Sequence, residues 1–499
     1  MANVSKTRDP YDRGNGLHGV PIYRIAAFAL NNSSTNLYLF FMGYVAYYLN
    51  GFVGMATIMA SSFSTFMRIW DGVTDPFVGY IVDKTDGKLG KNRPFIIIGH
   101  LILLVTSFIL FHVTHKLPEG IIRTIFFIVM SMIYYVGYTF QCVVTKSAQT
   151  CLTNDPKQRP LFAMFDAIYN TFLFTIVAII VAKIVAKYDG NFIDVRFFHD
   201  FWVFTAISAF ICMLLAVWAI WPKDQTKYFG TGKAVKVSFK DYFEVIAHNR
   251  AIQMLVVNAS TDKLASSAKT SAVTAVMFGV VCGNFALYGA MSAYTLPFTL
   301  AFIVFGIGGM ATKMGMKRAM IVGSVGGLVT NALLILLWLF GDPTTLAMPG
   351  VEGFSGLTFF TVALILLTAL TGGFQAISGN IVIPMTADCA DYEVYRSGRY
   401  VPGLMGTLFS FVDKLISSLA PLLAGVVFAA VGYADALPTA ASPYSDGLKY
   451  AGIFLMYGML IFGLLCNLIA MKFYPLSKEK MESIQDEIRA IKEKAMKEA

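Results

Sequence analysis

The sequence is poor in charge. Only 14% of its 499 residues are Asp, Glu, Lys or Arg, whereas 56% are apolar, and the mean hydropathy is +0.63. A soluble globular protein carries about a quarter charged residues. Because many of the apolar runs also exceed the ~20 residues that cross a bilayer as a helix, the composition excludes a string of soluble domains. It predicts a polytopic α-helical membrane protein.

Several chemical signatures are missing as well. No GxxxxGK[ST] pattern occurs, which disfavours ATP-driven transport. No nucleophile or metal-ligand motif stands out, so an enzyme is not expected. The six cysteines lie in or beside apolar runs without a CxxC pair, which indicates free thiols rather than a disulfide framework or zinc site. The first twenty residues are polar and contain no signal-peptide h-region.

The net charge of +9 does not indicate a nucleic-acid partner, because the basic residues sit in short loops between apolar runs. Under the positive-inside rule these loops place both termini in the cytoplasm, with the chain in the inner membrane. Twelve spans are predicted: 21–49, 53–82, 94–114, 121–152, 160–186, 200–221, 249–281, 285–312, 319–341, 356–385, 402–433 and 447–474.

The polar stretch 222–248 is the longest connection between spans. It separates a six-helix bundle over 1–221 from a second over 249–475, as in transporters built from repeats. The tail, 476–499, changes character, because apolar residues recur among charges at helical spacing from Met481 to Ile491. This pattern predicts an amphipathic cytoplasmic helix lying on the membrane or on the loops.

Charged residues inside spans are costly and are therefore functional candidates. Asp71 and Asp75 lie four residues apart on span II, so they share one helix face near mid-membrane. Two such carboxylates are protonated or hold a cation, and hard cations such as Na⁺ prefer oxygen ligands. We favour a cation site over the alternative, an internal ion pair with Arg68 and a lysine.

Span IV carries a polar stripe in which Thr139, Cys142, Lys146 and Gln149 are spaced three, four and three. A stripe that contains a lysine is expected to face a central cavity rather than lipid. Asp166 on span V lies at the depth of Lys146, so the two can form an ion pair. That pair is either part of the site or purely structural.

The second half supplies two adjacent charged pairs, Asp262–Lys263 and Asp413–Lys414, in spans VII and XI. Neighbouring residues on a helix point in different directions. At most one member of each pair therefore faces the cavity, and we favour Lys414 as a site residue, with Asp262 as a further candidate.

The segment RIWDGVTDPFVGYIVDKTDGKLGKNRPFIIIG (Arg68–Gly99) resembles the span II–III signature of the glycoside–pentoside–hexuronide:cation symporters, a family of the major facilitator superfamily. Weaker matches include LTNDPKQRP (152–160) and TADCADYEVYRSGR (386–399). The resemblance implies two six-helix bundles, twelve transmembrane helices and alternating access. It also implies Na⁺, Li⁺ or H⁺ at Asp71, Asp75 and Thr139, with Thr74 contributing and Lys414 nearby.

The family's sugar-binding positions differ in this sequence. Gap-free alignment puts Thr35 and Cys142 where the family has carboxylates, and Lys146 where it has a sugar-stacking tryptophan. Span I instead offers a run of amides and hydroxyls that can hydrogen-bond a polar ligand or pack helices. Lys146 suits a carboxylate such as a hexuronide. The expected substrate residues are thus Thr35, Asn31, Asn32, Cys142, Lys146, Asp166, Lys414 and Asp262.

We therefore expect a monomeric, cation-coupled symporter that imports a small glycoside, pentoside or hexuronide and needs no cofactor beyond Na⁺ or H⁺. Two alternatives remain at this point. One is a cation-coupled symporter of a non-sugar organic solute or anion, and the other is a lipid-handling or receptor-like membrane protein of the same fold.

Overall fold

The structure is a computed structural model of the chain. It describes residues 11–14, 17–84, 89–153, 158–188, 192–225, 247–305, 314–397, 412, 414–481, 483, 484 and 487. Most of the predicted middle loop, Asp413 and the end of the tail lie outside this description. So do some side chains inside helices, among them that of Lys146.

Helices account for nearly all of the described chain, as the apolar runs predict. Among the described residues, the only β-strands form a short antiparallel hairpin of β1 (Asp12–Gly14) and β2 (Leu17–His18). We number the helices by predicted span: α1 Ile22–Met42, α2 Thr57–Lys84, α3 Arg93–His112, α4 Ile121–Leu152, α5 Arg159–Lys187, α6 Val195–Ile220, α7 Arg250–Ser267, α8 Ala286–Phe305, α9 Met316–Phe340, α10 Phe359–Ser397, α11 Leu419–Ala430 and α12 Asp446–Phe473.

Three helices depart from regular α geometry. After α1, a short helix leads into a π-helical turn, Leu49–Val53. Beyond α7 the chain bends by 50° into a second helical piece that ends in the π-helical segment Ala275–Val281. A further π-helical turn, Phe454–Gly458, lies inside α12. Such π turns occur often at functional sites.

Among the described helices, seven are long and apolar enough to cross a membrane by length and composition, or eight if the bent α7 pair forms one span. The helices α1 and α2 are absent from that set. They carry the amide cluster and the paired carboxylates, and this polarity lowers their hydropathy. Two further predicted spans are absent as well, α8 and α11, and the described α11 segment Lys414–Ala430 is shorter than 18 residues. The polarity of α1 and α2 therefore accounts for part of the shortfall against twelve predicted spans.

The described residues group into two compact units. The first comprises Met1–Gly43, Trp70–Leu173 and Phe198–Lys233, and the second comprises Tyr44–Ile69, Phe174–Phe197 and Ala234–Ala499. We describe each unit by itself.

In the first unit, α3 packs along α4, and α1 also lies against α4. A glycine contact permits close approach of the first pair, because a Cβ on Gly137 would lie 3.0 Å from the Gly99 carbonyl oxygen and 2.7 Å from the Ile102 side chain. Small residues at such contacts let membrane helices approach closely. This contact sets the position of α4 just before Thr139.

Asp224, four residues beyond the end of α6, fastens that end of the unit to the start of α3. Its buried carboxylate accepts hydrogen bonds from the backbone N–H groups of Lys91, Asn92 and Arg93, at 2.9–3.2 Å. The Asn92 amide and the Arg93 guanidinium donate to it as well, at 3.0 and 3.3 Å. The carboxylate therefore satisfies orphan N–H groups at the helix start, where negative charge is favourable.

In the second unit, α9 packs on α10 and α12, while α7 packs on α12. The tail docks against this group of helices. Met481 and Ile484 are buried in one apolar cluster with Cys389 of α10 and Met320 of α9. The start of the tail therefore lies against helices of the second unit, whereas residues 488–499 lie outside the described part of the chain.

Candidate functional site

The paired carboxylates of α2 lie in the first unit, next to hydroxyls from α2 and α4. Asp71 is fully buried, and the Thr139 hydroxyl of α4 donates to its Oδ1 at 2.6 Å. Asp75 lies one helical turn further along, half-buried, with its Oδ1 enclosed by protein. The 3.6-residue helical period and the α2–α4 contact therefore bring together two of the predicted cation residues, Asp71 and Thr139.

Thr74 completes this oxygen cluster. Its hydroxyl lies 3.0 Å from the backbone carbonyl oxygen of Asp71 and 3.3 Å from the Thr139 hydroxyl. Just before the cluster, the Trp70 indole N–H donates to the Met132 carbonyl at 3.0 Å and holds α2 against α4. We refer to Asp71, Thr74, Asp75 and Thr139 as the oxygen cluster.

The chemistry of the oxygen cluster suits a hard cation. It offers carboxylate and hydroxyl oxygens, and it offers them in a buried environment where an uncompensated negative charge is costly. A Na⁺ ion or a proton would neutralise that charge. Hydroxyl donors such as Thr139 lower the cost while the cation is absent, because they donate to the ionised carboxylate.

The amide run of α1 makes a second polar contact in the same unit, with α5. The Asn32 amide donates to Asp166 Oδ1 at 2.6 Å, and one turn further the Asn36 amide donates to Asn170 Oδ1 at 2.7 Å. Both residue pairs have the same separation in sequence, so they form two steps of one ladder between the helices. We call these four residues the amide ladder.

The other α1 candidates are buried within the helix packing. The Asn31 amide donates to the Thr145 hydroxyl of α4 at 2.7 Å, and Asn31 is fully buried. Thr35 is buried too, and its hydroxyl donates to the Asn31 carbonyl within its own helix at 3.0 Å. These contacts are of the helix-packing kind that the sequence left open as an alternative to ligand binding.

Two of the remaining first-half candidates lie on α4. Cys142 is half-buried, one turn from Thr139, as the stripe spacing predicts. The Lys146 side chain is outside the described part of the structure, so its predicted ion pair with Asp166 stays a prediction.

The second-half candidates belong to the second unit. Asp262 is half-buried on α7 and Lys263 is exposed, which agrees with the expectation that neighbours point apart. Lys414 is half-buried on the helical segment Lys414–Ala430, whereas Asp413 lies outside the described residues.

Sequence reasoning missed several polar residues with specific contacts. Asn36 and Asn170 carry a signal that could have found them, because each follows its partner, Asn32 or Asp166, by four residues. Asn50 carried no such signal. In the π-helical turn after α1, its amide N–H donates to the carbonyls of Met55 and Asp435, both at 2.8 Å, and its Oδ1 accepts from the Leu437 N–H at 3.2 Å.

The fold is that of known membrane transporters. A crystal structure of the nucleoside transporter NupG matches 91% of this chain and 98% of its own, with a TM-score of 0.57 at 12% identity. A bacterial homologue of the iron transporter ferroportin, in an outward-facing state, matches 91% and 99%, with a TM-score of 0.59 at 11% identity. The chain therefore shares the fold of these proteins.

Sequence comparisons give the family. The glucuronide carrier protein homolog of Escherichia coli (strain K12) is 21% identical over 93% of this chain and 94% of its own length. The isoprimeverose transporter of Lactiplantibacillus pentosus is 21% identical over 94% of this chain and 91% of its own. The family model described as MFS/sugar transport protein matches residues 27–478. The chain belongs to this family, within its glycoside–pentoside–hexuronide symporter branch, and it is a transporter rather than an enzyme.

Proposed function

We propose that the protein is a Na⁺- or H⁺-coupled symporter that imports a small glycoside, pentoside or hexuronide. The observation that carries the proposal is the buried oxygen cluster on α2 and α4, in which Thr139 donates to Asp71 at 2.6 Å. Relatives named as carriers of a glucuronide and of isoprimeverose support the substrate class. No cofactor besides the coupling cation is required.

Coupling follows from the charge of the cluster. A bound cation neutralises Asp71 and Asp75, and this neutralisation raises the affinity for substrate. By linkage, substrate raises the affinity for the cation by the same factor. Typical coupling free energies of about 1–3 kcal/mol correspond to roughly 5- to 150-fold in affinity.

Alternating access requires contacts that close one face of the protein and break when that face opens. Within the second unit, Asn50 provides such contacts by bonding the chain around residues 435–437, between α11 and α12. Nearby, the Tyr47 hydroxyl donates to the Pro438 carbonyl at 2.7 Å, and the Thr57 N–H donates to the Ala434 carbonyl at 3.1 Å. In our proposal these bonds form a latch between the start of the first six-helix half and the end of the second.

The basic loops support an orientation with both termini in the cytoplasm of a bacterial inner membrane. In that orientation the Asn50 latch lies on the outer face. A monomer is the proposed functional form.

The direct test is uptake into proteoliposomes that contain the purified protein. A panel of glycosides, pentosides and hexuronides is offered with an inward Na⁺ gradient, with an inward proton gradient, or with neither. We expect accumulation of at least one panel member with one gradient and none without. Equal uptake under all three conditions would refute cation coupling.

The same assay tests the site with Asp71→Cys and Asp75→Cys. Each variant is expected to abolish accumulation while the protein still folds. Full accumulation in either variant would show that its carboxylate is not part of the cation site.

A further inference from the structure

A cavity lies where the docked tail meets the start of α9. Its volume is about 290 Å³, it is partly open on one side, and all the residues that line it belong to the second unit. The residues that line it are Met314, Gly315, Lys317, Arg318, Ile321, Ser477 and Lys478. Three of these seven described lining residues are cationic and none is acidic.

The fold places the backbone of each of the three cations at the cavity. Lys317 donates to the Tyr474 carbonyl at 2.6 Å, which ties the start of α9 to the end of α12. Lys478 is fixed by the tail, whose Met481 and Ile484 are buried against α9 and α10. Arg318 reaches Glu479 at 3.6 Å, but both side chains are about two-thirds exposed, so that ion pair is weak.

Gly315 permits the close contact between Lys478 and the loop before α9. Its φ of +82° is one that glycine adopts readily and other residues resist. A Cβ at this position would lie 2.8 Å from Cβ of Lys478. The glycine therefore lets the lysine stem lie directly on the loop that leads into Lys317 and Arg318.

The charge around the cavity is positive. The pKa of Glu479 lies below its ordinary value, first because its own backbone N–H and the Ser477 hydroxyl bond to it, and further because Arg318 and Lys478 are close. Among the described residues that line or adjoin the cavity, three are cationic and one, Glu479, is acidic. Gathering like charges is unfavourable unless an anion shares the space.

The cavity also lies at the end of α9 from which a stripe of exposed apolar side chains begins. Beyond Arg318, the large exposed side chains of α9 up to residue 336 are Val325, Val329, Leu333 and Leu336, each 45–51% exposed, and they recur every three or four residues on one helix face. From Arg318 to Leu336 the helix rises ~27 Å at 1.5 Å per residue, close to the thickness of a bilayer's hydrocarbon core.

We propose that this cavity binds the phosphate headgroup of an anionic phospholipid, whose acyl chain lies along the α9 stripe. The juxtaposition of three cations, one hydroxyl and a lipid-facing stripe fits a phosphodiester attached to an apolar tail better than it fits a soluble anion. This inference does not depend on which solute the protein carries.

The experiment uses the full-length protein, delipidated in detergent and titrated with phosphatidylglycerol, with phosphatidylethanolamine or with inorganic phosphate. Native mass spectrometry counts the retained lipid, and thermal unfolding measures stabilisation. We expect saturable binding of phosphatidylglycerol. Each of Arg318→Gln and Lys478→Gln should weaken it roughly fivefold, and the double variant roughly thirtyfold.

Lys472→Gln is the matched control, because Lys472 is an exposed cation in the last turn of α12 that does not line the cavity. It should leave the affinity for phosphatidylglycerol unchanged. The two cavity substitutions alter exposed side chains, so the variants are expected to fold, and their unfolding curves without lipid verify this.

Three results would overturn the proposal. They are equal affinity for phosphatidylglycerol in the double variant and the wild type, an equal loss in the Lys472 control, and saturation of the cavity by inorganic phosphate that displaces the lipid. The last result would identify a soluble phosphoryl group as the occupant.

Discussion

The oxygen cluster and the amide ladder lie in the same unit and each contains a carboxylate, but the groups that donate hydrogen bonds to the two carboxylates differ. The Asp71 carboxylate accepts from the Thr139 hydroxyl, and the Thr74 hydroxyl bonds to the backbone carbonyl of the same residue. A hydroxyl can donate a hydrogen bond or turn a lone pair toward a cation. Asp166 receives the amide N–H of Asn32, which can only donate. The donor type therefore suggests that the first carboxylate exchanges partners with a cation, whereas the second holds two helices together.

The largest difference is expected when each carboxylate becomes an amide. Asp71→Asn removes the charge that the coupling cation neutralises, so the accumulation ratio should fall to about 1, the value without coupling. Asp166→Asn keeps a hydrogen-bond acceptor for Asn32 and should leave accumulation driven by the gradient. The measurement is gradient-driven uptake into proteoliposomes at matched protein content.

If Asp166→Asn abolishes accumulation as Asp71→Asn does, the comparison between the two carboxylates fails. If it instead raises the KM for substrate without changing the stoichiometry of coupling, Asp166 contacts the substrate. The apparent cation affinity then serves as the control, since it should stay at the wild-type value.

The hydroxyl of Thr139 should matter next most. Thr139→Val keeps the shape of the side chain but removes an oxygen and a hydrogen bond to a charged group, which contributes about 1.5–3 kcal/mol. We expect the apparent affinity for the coupling cation to fall at least about tenfold. Thr139→Ser restores the hydroxyl and should recover most of that affinity, and equal losses in both variants would mean that Thr139 acts through packing alone.

Asn50 tests the latch rather than either cluster. Asn50→Ala removes the two hydrogen bonds to the chain around residues 435–437, each contributing about 1 kcal/mol, and should shift the equilibrium away from the closed latch by roughly thirtyfold. The expected readout is faster amide hydrogen exchange at Thr57 and Leu437, together with slower net uptake.

Asn331→Ala is the control for the latch. Asn331 is a buried asparagine whose amide N–H donates within its own helix, to the Gly327 carbonyl at 2.7 Å. Its substitution should leave exchange at Leu437 unchanged. Wild-type exchange in Asn50→Ala would contradict the latch.

The smallest effect on the protein is expected from the second pair of the amide ladder, Asn36 and Asn170. Asn36→Ala and Asn170→Ala should each cost about 1–3 kcal/mol of stability, because each leaves a part-buried amide without its partner. The double variant should cost little more than either single one, since the contact is already lost. Additive losses in thermal unfolding would show that the two amides act independently.

What the sequence could predict depended on whether a feature belongs to one helix. The spacing of Asp71 and Asp75 placed both on one face of α2, and the helical period identified the stripe that contains Thr139. The family resemblance then joined the two helices, and the structure brings Asp71 and Thr139 within hydrogen-bonding distance. Helix periodicity defines a face, but not the partner that the face meets.

Partners distant in sequence were accordingly missed. Asp224 lies in a stretch that reads as a polar loop, yet its carboxylate is buried at the start of α3. Asp166 accepts from the Asn32 amide at 2.6 Å, a partner that the depth argument did not indicate, while its predicted pair with Lys146 stays a prediction. Depth along the membrane normal is readable from helix length, but rotation about the helix axis is set by packing.

The docking of the tail gives the protein a built-in chemical reporter. Cys389 is fully buried in the same apolar cluster as Met481 and Ile484, with its Sγ 3.7 Å from the Tyr474 hydroxyl. We expect this thiol to react with a maleimide only when the packing of that cluster opens. Peptide-level mass spectrometry of Cys389 alkylation in native vesicles would therefore report when the tail is released, without an engineered cysteine.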